Sequence, residues 1–169
     1  MEKEKSKFRK IFDEYISYVI IIVVVLIIKK FVVSPIRVHG ESMMKTLRNG
    51  DVMILDIIGY RFSDIKRFDI VVVQADHELI IKRIIGLPGE EVEYRDNQLY
   101  VNSKKVKDTY GSQVTDDFKV KIPDGYYFVL GDNRTNSMDS RIFGPFPKNK
   151  ILGKTSLTIF PFSRFGNKE

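Results

Sequence analysis

The sequence DIVVVQADHELIIKRII, residues 69–85, decides the fold, because it places two apolar runs on either side of a short polar turn. Valine and isoleucine dominate both runs, and these β-branched residues favour strands. Other short runs of the same kind lie before and after it, at residues 36–38, 51–55, 91–94, 98–101 and 126–130. Turn residues separate the runs, so the pattern predicts a mostly β fold with antiparallel sheets.

A more polar segment runs from about residue 90 to residue 123. Turn-forming residues precede and divide it, in the stretches 86–89, 95–97 and 102–104. We therefore expect a smaller, exposed β insertion within the domain, and we expect it to carry no chemistry.

The N-terminal part of the chain has a different composition. Residues 1–14 are polar and of mixed charge, whereas residues 15–33 are mostly apolar. A helix from residue 16 to residue 33 would be about 27 Å long, close to the ~30 Å hydrocarbon thickness of a bilayer, if Lys29 and Lys30 extend to the interface. The sequence predicts one retained transmembrane anchor at residues 15–33, before a domain of residues 34–169. A buried core segment and a cleaved signal peptide are the alternatives, and no small-residue cleavage site follows the run.

Composition excludes several classes of function. The 169 residues contain no cysteine, which excludes disulfides, thiolate catalysis and cysteine-bound metals. The net charge of +6 arises from 28 basic and 22 acidic residues that are scattered along the chain, so nucleic-acid binding has little support. The only histidines, His39 and His77, make a Ser-His-Asp triad and a zinc site improbable. We expect no metal ion and no other cofactor.

Lys82 is the better candidate for a general base. Two-residue alternation places it on one strand face with Ile80 and Ile84, and burial among aliphatic side chains disfavours the ammonium form. Its pKa is then expected to fall from about 10.4 toward roughly 7–8, where a lysine accepts protons near neutral pH. The alternative is an edge lysine that discourages strand pairing.

Ser42 is the candidate nucleophile, because it follows Gly40 in a turn that can expose its hydroxyl. The residues from Ser42 to Lys45 also satisfy the S-x-x-K pattern of penicillin-binding proteins and class A β-lactamases. Those enzymes place the pattern on a helix within a much longer α/β domain and add S-D-N and K-T-G elements. This chain offers only Lys154-Thr155-Ser156, so that interpretation is weak.

Three segments together resemble the type I signal peptidases, membrane-bound serine proteases that use a Ser-Lys dyad. They are GESMM with the following Thr46 and Leu47 (from residue 40), KRIIGLPGE (82–90) and GDNRTNSMDSR (131–141), in the family's order and spacing. The resemblance implies Ser42 as nucleophile and Lys82 as base. It departs at Lys45, where the family normally has proline, a change expected to loosen the turn or to place a second cation near Lys82.

The resemblance also assigns supporting residues. Ser137 matches the serine whose hydroxyl helps to position the lysine amine, and Asp139 and Arg141 match an ion pair that holds the site together. Asp132 and Arg134 match positions of a structural kind. Gly40 stands where some members have an oxyanion-stabilising serine, as is typical of the Gram-positive subgroup, so a second oxyanion donor would come from the backbone or from water.

The implied activity is removal of signal peptides from secretory precursor proteins with small residues at the first and third positions before the cut. Shallow apolar pockets suit such residues, and the lining residues that we expect are Ile36, Val38, Met43, Leu47 and Ile81. The resemblance places residues 1–14 in the cytosol and the catalytic domain outside the cell membrane. Residues 159–162 with Phe165, and also residues 57–60, are expected to touch the lipid bilayer beside the anchor, with burial in the core as the alternative.

Two rival classes of function are also considered. Lys45 motivates a catalytically impaired homologue that binds signal peptides or secretion partners without cutting them. A self-cleaving transcriptional repressor would use the same Ser-Lys chemistry, but it would need a DNA-binding helix-turn-helix where this chain has an apolar segment.

Overall fold

A computed structural model describes residues 14–26, 33–111 and 114–168 of the chain. Residues 14–26 form helix α1, which begins one residue before the predicted anchor and otherwise lies within it. The remaining anchor residues before the domain, 27–32, and the polar residues 1–13 lie outside the described residues. Across the described part of the chain, no helix is both long enough and apolar enough to cross a membrane.

The rest of the described chain is mostly β, and every strand pairing is antiparallel, which confirms the predicted fold class. Two short helices are α2 (Gly59–Phe62) and α3 (Ser140–Phe143). The strands are β1 (Val33–Arg37), β2 (Val52–Asp56), β3 (Ile70–Ala75), β4 (Glu78–Gly86), β5 (Glu91–Arg95), β6 (Gln98–Val101), β7 (Lys104–Val106), β8 (Phe118–Lys121), β9 (Tyr126–Leu130), β10 (Phe146–Pro147), β11 (Ile151–Phe160) and β12 (Gly166–Asn167).

The large sheet has the strand order β1-β2-β11-β3-β4-β9-β10, and β12 pairs with β11. The hairpin of β3 and β4 lies in its middle, where Ile70 pairs with Arg83 and Ala75 with Glu78. Strand β9 pairs with β4 only from Arg83 onward. Within the described residues, the part of β4 from residue 78 to residue 82 therefore has a strand partner on one side and an open edge on the other.

The small sheet has the order β7-β6-β5-β8 and occupies the segment predicted as an insertion. It packs on the large sheet through a shared cluster in which Val92, Tyr94 and Leu99 meet Ile85 and Phe128. Two tight turns connect strands of this sheet, one at Asp96 and Asn97 and the other at Asn102 and Ser103. All four residues have positive φ angles, as such turns require. The second of these turns is shorter than predicted, because Lys104 already belongs to β7.

The sequence prediction gave other bounds for β1 and did not include five strands, which are β7, β8, β10, β11 and β12. Strand β1 begins at Val33, inside the segment assigned to the anchor, and ends at Arg37 rather than Val38. Strand β11, which lies between β2 and β3, was not predicted. Its pairing shifts register between Ile151 and Gly153, between Thr155 and Leu157, and between Thr158 and Phe160. Bulges of this kind interrupt the two-residue alternation of apolar and polar side chains, so the sequence shows no strand period there.

Candidate active site

Ser42 lies in the loop between β1 and β2. The side chains of Met43 and Leu47 are only 2% and 0% exposed and pack with Val38, Met53 and Ile70 in a core cluster. The amide of Leu47 also donates a hydrogen bond to the carbonyl of Met43 at 2.8 Å. Because its neighbour is inserted into the core, Ser42 is held at the surface of the domain with its side chain half-buried.

Lys82 reaches the same point from strand β4. Its Nζ lies 2.6 Å from Ser42 Oγ, and the lysine is 3% exposed. Burial lowers the pKa of Lys82 to about 8, although the Asp139 and Asp132 carboxylates act to raise it. A neutral amine at this distance accepts the hydroxyl proton of Ser42, which is the arrangement that a Ser-Lys nucleophile requires.

The loop of residues 131–141 binds the backbone carbonyl groups of Glu41 and Ser42, on either side of the nucleophile. The amide of Asn133 donates to the carbonyl of Ser42 at 2.9 Å, and its side-chain Nδ2 donates to the carbonyl of Glu41 at 3.2 Å. Thr46, farther along the nucleophile loop, donates its hydroxyl to Asp132. Neither Asn133 nor Thr46 was among the candidate site residues, although both lie in segments on which the resemblance rests.

Asp132 is paired with Arg83, the residue that follows Lys82. Arg83 Nε and Nη2 lie 2.9 and 2.8 Å from the two carboxylate oxygens, and both side chains are 0% exposed. Sequence reasoning missed Arg83, although a cation inside an apolar strand needs a buried partner and so signals one.

Asp139 and Arg141 form the ion pair that the resemblance implies. Arg141 Nε and Nη2 each donate to Asp139 at 2.9 Å, and Asp139 also accepts from the amide of Gly131 at 3.1 Å. Arg141 Nη2 donates to the backbone carbonyl of Arg134 at 2.7 Å. The pair therefore ties the beginning of the loop to its end.

Ser137 does not make the contact that was expected of it. Its hydroxyl is buried and has no hydrogen-bond partner among the described residues, so it does not bond to the amine of Lys82. It packs against Gly131, where an added Cβ would lie 2.2 Å from Ser137 Oγ and 2.5 Å from the carbonyl oxygen of Ser42. The absence of a side chain at Gly131 lets the two loops approach this closely.

Arg134 points away from the dyad toward the small sheet. Its partners there are Tyr94 and Asp108, and Arg134 Nη2 lies 2.7 Å from Asp108 Oδ2. Neither partner was predicted as a site residue, and the sequence around them carries no signal that links them to residue 134.

A cleft of about 300 Å³ adjoins Ser42 and Lys82. Three of the predicted lining residues, Val38, Met43 and Ile81, do line it. Leu47 does not, because it is 0% exposed in the core, and Ile36 packs against the same cluster. The other lining residues are Arg37, His39, Gly40, Glu41, Glu78, Leu79, Ile80, Asn136 and Met138.

Lys45 is exposed, and its backbone has a φ of 97°. Proline is restricted to a φ near −65°, so this turn has a shape that proline cannot adopt. Burial and two carboxylates account for the shifted pKa of Lys82, and Lys45 is not among its causes. Lys45 therefore does not account for the lowered pKa of Lys82.

Gly40 has a φ of 82°, and its amide donates to Asn49 Oδ1 at 3.2 Å. The amide of Ser42 makes no hydrogen bond within the described residues and so is available to a substrate oxygen. Across the same residues, no group of three or more histidine, aspartate or glutamate side chains is placed to hold a metal ion.

The family model described as "Signal peptidase, peptidase S26" matches residues 11–160. Signal peptidase I of Bacillus amyloliquefaciens is 42% identical over 96% of this chain and 95% of its own. Signal peptidase IB of Staphylococcus aureus strain COL is 38% identical over 93% of each chain. A crystal structure of a signal peptidase I from Enterococcus faecalis V583 has a TM-score of 0.51 and 36% identity, covering 54% of this chain and 97% of that one. These similarities, joined to the arrangement of Ser42 and Lys82, place the chain in the signal peptidase family, peptidase S26.

Proposed function

We propose that the protein is a membrane-bound serine endopeptidase that cleaves N-terminal signal peptides from exported precursor proteins. Ser42 is the nucleophile and Lys82 is the general base. The observation that carries the proposal is the 2.6 Å separation of Ser42 Oγ from the Nζ of a lysine that is 3% exposed. The family and the relatives named signal peptidase I and IB support the class of substrate.

The reaction begins with acylation of Ser42. Neutral Lys82 accepts the hydroxyl proton while Ser42 Oγ attacks the carbonyl carbon of the scissile peptide bond. The amide of Ser42, which has no other partner within the described residues, donates to the oxyanion that forms. The protonated Lys82 then gives its proton to the leaving nitrogen, so the C–N bond breaks and the mature protein departs with a neutral amine.

Deacylation reverses the roles. Lys82, neutral again, accepts a proton from a water molecule that attacks the ester carbonyl of Ser42. The proton passes back to Ser42 Oγ as the C–O bond breaks, and the signal peptide leaves with a new carboxyl group. In the pairs Asp132–Arg83 and Asp139–Arg141, each arginine neutralises the carboxylate beside the dyad. The carboxylates then raise the pKa of Lys82 less than they would alone, so the neutral amine forms more readily.

The precursor binds in an extended conformation along β4. Residues 78–82 of this strand have an open edge in the described structure, so alternate residues present free N–H and C=O groups to another strand. The cleft beside that edge is lined by Val38, Met43 and Ile81. Its volume of about 300 Å³ lies at the lower end of the range for ligand sites, which favours small side chains before the cut.

The proposal places the protein in the cell membrane. The apolar run that begins at residue 15 acts as a single anchor, residues 1–14 lie in the cytosol, and the domain, which begins with β1 at Val33, lies outside. Phe160, Phe162 and Phe165 are 50%, 81% and 63% exposed near the end of the domain. Such a group of exposed aromatic side chains suits contact with the lipid bilayer.

A catalytically impaired homologue is less well supported. Lys45, which motivated it, points to solvent and does not influence the pKa of Lys82. The close approach of Ser42 and Lys82 is retained despite the altered turn.

The test is cleavage of a fluorogenic peptide with an Ala-x-Ala site by the full chain in detergent. We expect the wild type to cleave after the second alanine and Ser42→Ala to be inactive. Thr109→Ala, an exposed hydroxyl in the small-sheet segment, is the matched control and should cleave normally. Extraction of the membranes that contain the protein tests the anchor. Detergent should release the protein from them, and alkaline carbonate should not.

Cleavage that survives Ser42→Ala would assign the chemistry to another group or to a contaminant. A wild type that binds the peptide without cutting it would favour the impaired homologue.

A further inference from the structure

The small sheet makes a buried polar contact with the active-site loop through Arg134. This arginine is 2% exposed, and its Nε donates to the carbonyl of Gly131 at 2.8 Å. Its Nη2 donates to Asp108 Oδ2 at 2.7 Å, and its Nη1 donates to the hydroxyl of Tyr94. A weaker contact of 3.4 Å joins Nη1 to Thr115 Oγ1. One side chain thus binds the loop at one end and the small-sheet segment at the other.

The two partners of Arg134 are themselves fixed. The hydroxyl of Tyr94 donates to Asp108 Oδ2, and the amide of Tyr110 donates to Asp108 Oδ1 at 3.0 Å. Burial acts to raise the pKa of Asp108, but Arg134 and the hydrogen bond from Tyr94 leave it below its ordinary value. The carboxylate is therefore charged at neutral pH, and a charge-assisted bond to a guanidinium fixes direction as well as distance.

From Arg134 the connection continues to the nucleophile. The preceding residue, Asn133, donates its backbone amide to the carbonyl of Ser42 at 2.9 Å and its side-chain amide to the carbonyl of Glu41 at 3.2 Å. The backbone carbonyl of Arg134 also accepts from Arg141 Nη2 at 2.7 Å. The position of residue 134 therefore helps to fix Asn133 and, through it, the backbone of Ser42.

We infer that Asp108 and Tyr94 are positioning residues for the nucleophile, acting through Arg134 and Asn133. The small sheet thereby contributes to catalysis without touching the substrate. The inference rests on the proposed peptidase function. A displacement of about 1 Å from a mutation far from the chemistry can cost as much as 10²-fold in rate, so loosening this connection has a measurable effect.

The experiment compares Asp108→Asn and Tyr94→Phe with the wild type, using the full chain in detergent well below its unfolding temperature. We expect kcat to fall roughly tenfold in each variant while KM changes less than about twofold, because the nucleophile and not the cleft is displaced. The double variant should lose little more than either single variant, since both act on one guanidinium. Glu91→Gln is the matched control, because it removes an exposed pair with Lys119 from the same sheet, and it should not alter kcat.

Unchanged kcat in folded Asp108→Asn and Tyr94→Phe, even with a lower Tm, would overturn the inference and leave the sheet a stabilising role only. An equal loss of kcat in Glu91→Gln would also overturn it. If Asp108→Asn does not fold, Tyr94→Phe decides alone, because it keeps the buried ring. Ser42→Ala, measured beside them, separates the two claims. Cleavage that depends on Ser42 with normal kcat in the variants refutes only the positioning role, whereas cleavage independent of Ser42 refutes the proposed function.

Discussion

Lys82 and Arg83 are neighbours on one strand, and both are almost fully buried, at 3% and 0% exposure. Arg83 has every compensation that a buried cation needs. It pairs with Asp132 through two bonds, donates to the carbonyl of Phe68 at 2.8 Å, and lies 3.6 Å from the ring centre of Tyr110. Lys82 has no ion pair among the described residues, and its close partner is the hydroxyl of Ser42.

The difference follows from the two faces of β4. The face of Lys82 continues with Ile80 and Ile84, which belong to an apolar cluster, whereas Arg83 meets a carboxylate. Arginine cannot lose its proton in a protein, so its burial requires a partner. Lysine can lose its proton, and burial lowers the pKa at which it does so. One strand therefore supplies a permanent cation for structure and a removable proton site for chemistry.

The largest effect is expected when the amine of Lys82 is removed. We expect Lys82→Met to lower kcat/KM by about 10²–10⁴-fold, the contribution of a general base. The pKa of Lys82 in the folded protein, about 8, lies below its ordinary value of 10.5. The folded state is therefore destabilised by the charged amine, with the whole effect present below pH 8. This destabilisation decreases as the pH rises from 8 and is gone above 10.5. At pH 7 the variant should accordingly gain on the order of 1–3 kcal/mol in free energy of unfolding.

Activity assays and urea unfolding of the same preparation check both parts. Retained cleavage in Lys82→Met would show that another group is the base. A loss of stability would show that the charged amine of Lys82 stabilises the folded protein.

The second test removes the other cation. Arg83→Met leaves Asp132 buried without its guanidinium, and we expect a loss of about 3–5 kcal/mol in free energy of unfolding. The matched control is Arg95→Met, because Arg95 forms an exposed pair with Glu93 and is itself 54% exposed in its side chain. That pair should contribute less than about 1 kcal/mol. Denaturant titration measures both, and equal losses would show that burial does not distinguish the two pairs.

The third test reads the proton on Lys82 directly. Because only the neutral amine accepts a proton, kcat/KM should fall as the pH decreases through about 8 and level off above it. Below that value the rate should fall about tenfold for each pH unit. A profile that stays level down to pH 6 would contradict a lysine base with this pKa.

Lys45→Gly is the control for this profile, since Lys45 does not contribute to the shifted pKa of Lys82. Glycine accepts the φ of 97° without strain, so the midpoint should stay unchanged in a protein that folds normally. Movement of the midpoint would show that the exposed cation acts on the site after all.

The strands of the fold were predictable where β-branched apolar residues form a run between turn residues. The hairpin of β3 and β4 follows from its β-branched runs, whereas β11 was missed because its bulges break the alternation that a sequence displays. The type of fold depends on many strands, so it was predicted correctly although β11 and four shorter strands were missed.

The site divides in the same way. Ser42, Lys82 and the loop of residues 131–141 were chosen because local residue patterns and a family resemblance mark them, and the similarity findings confirm the family. The partners Arg83–Asp132 and Arg134–Asp108 depend on chain segments that only the folded sheet brings together. No local pattern specifies such pairs, and for the same reason the expected bond from Ser137 to Lys82 could not be checked before the structure.

The open edge of β4 has a consequence for how precursors can evolve. Main-chain N–H and C=O groups are the same in every polypeptide, so an edge that binds them sets no demand on most side chains of the bound segment. In the binding mode proposed above, signal peptides can exchange most of their residues and still be cleaved by this protein. In that binding mode, only the side chains that enter the cleft beside Val38, Met43 and Ile81 remain under selection for size.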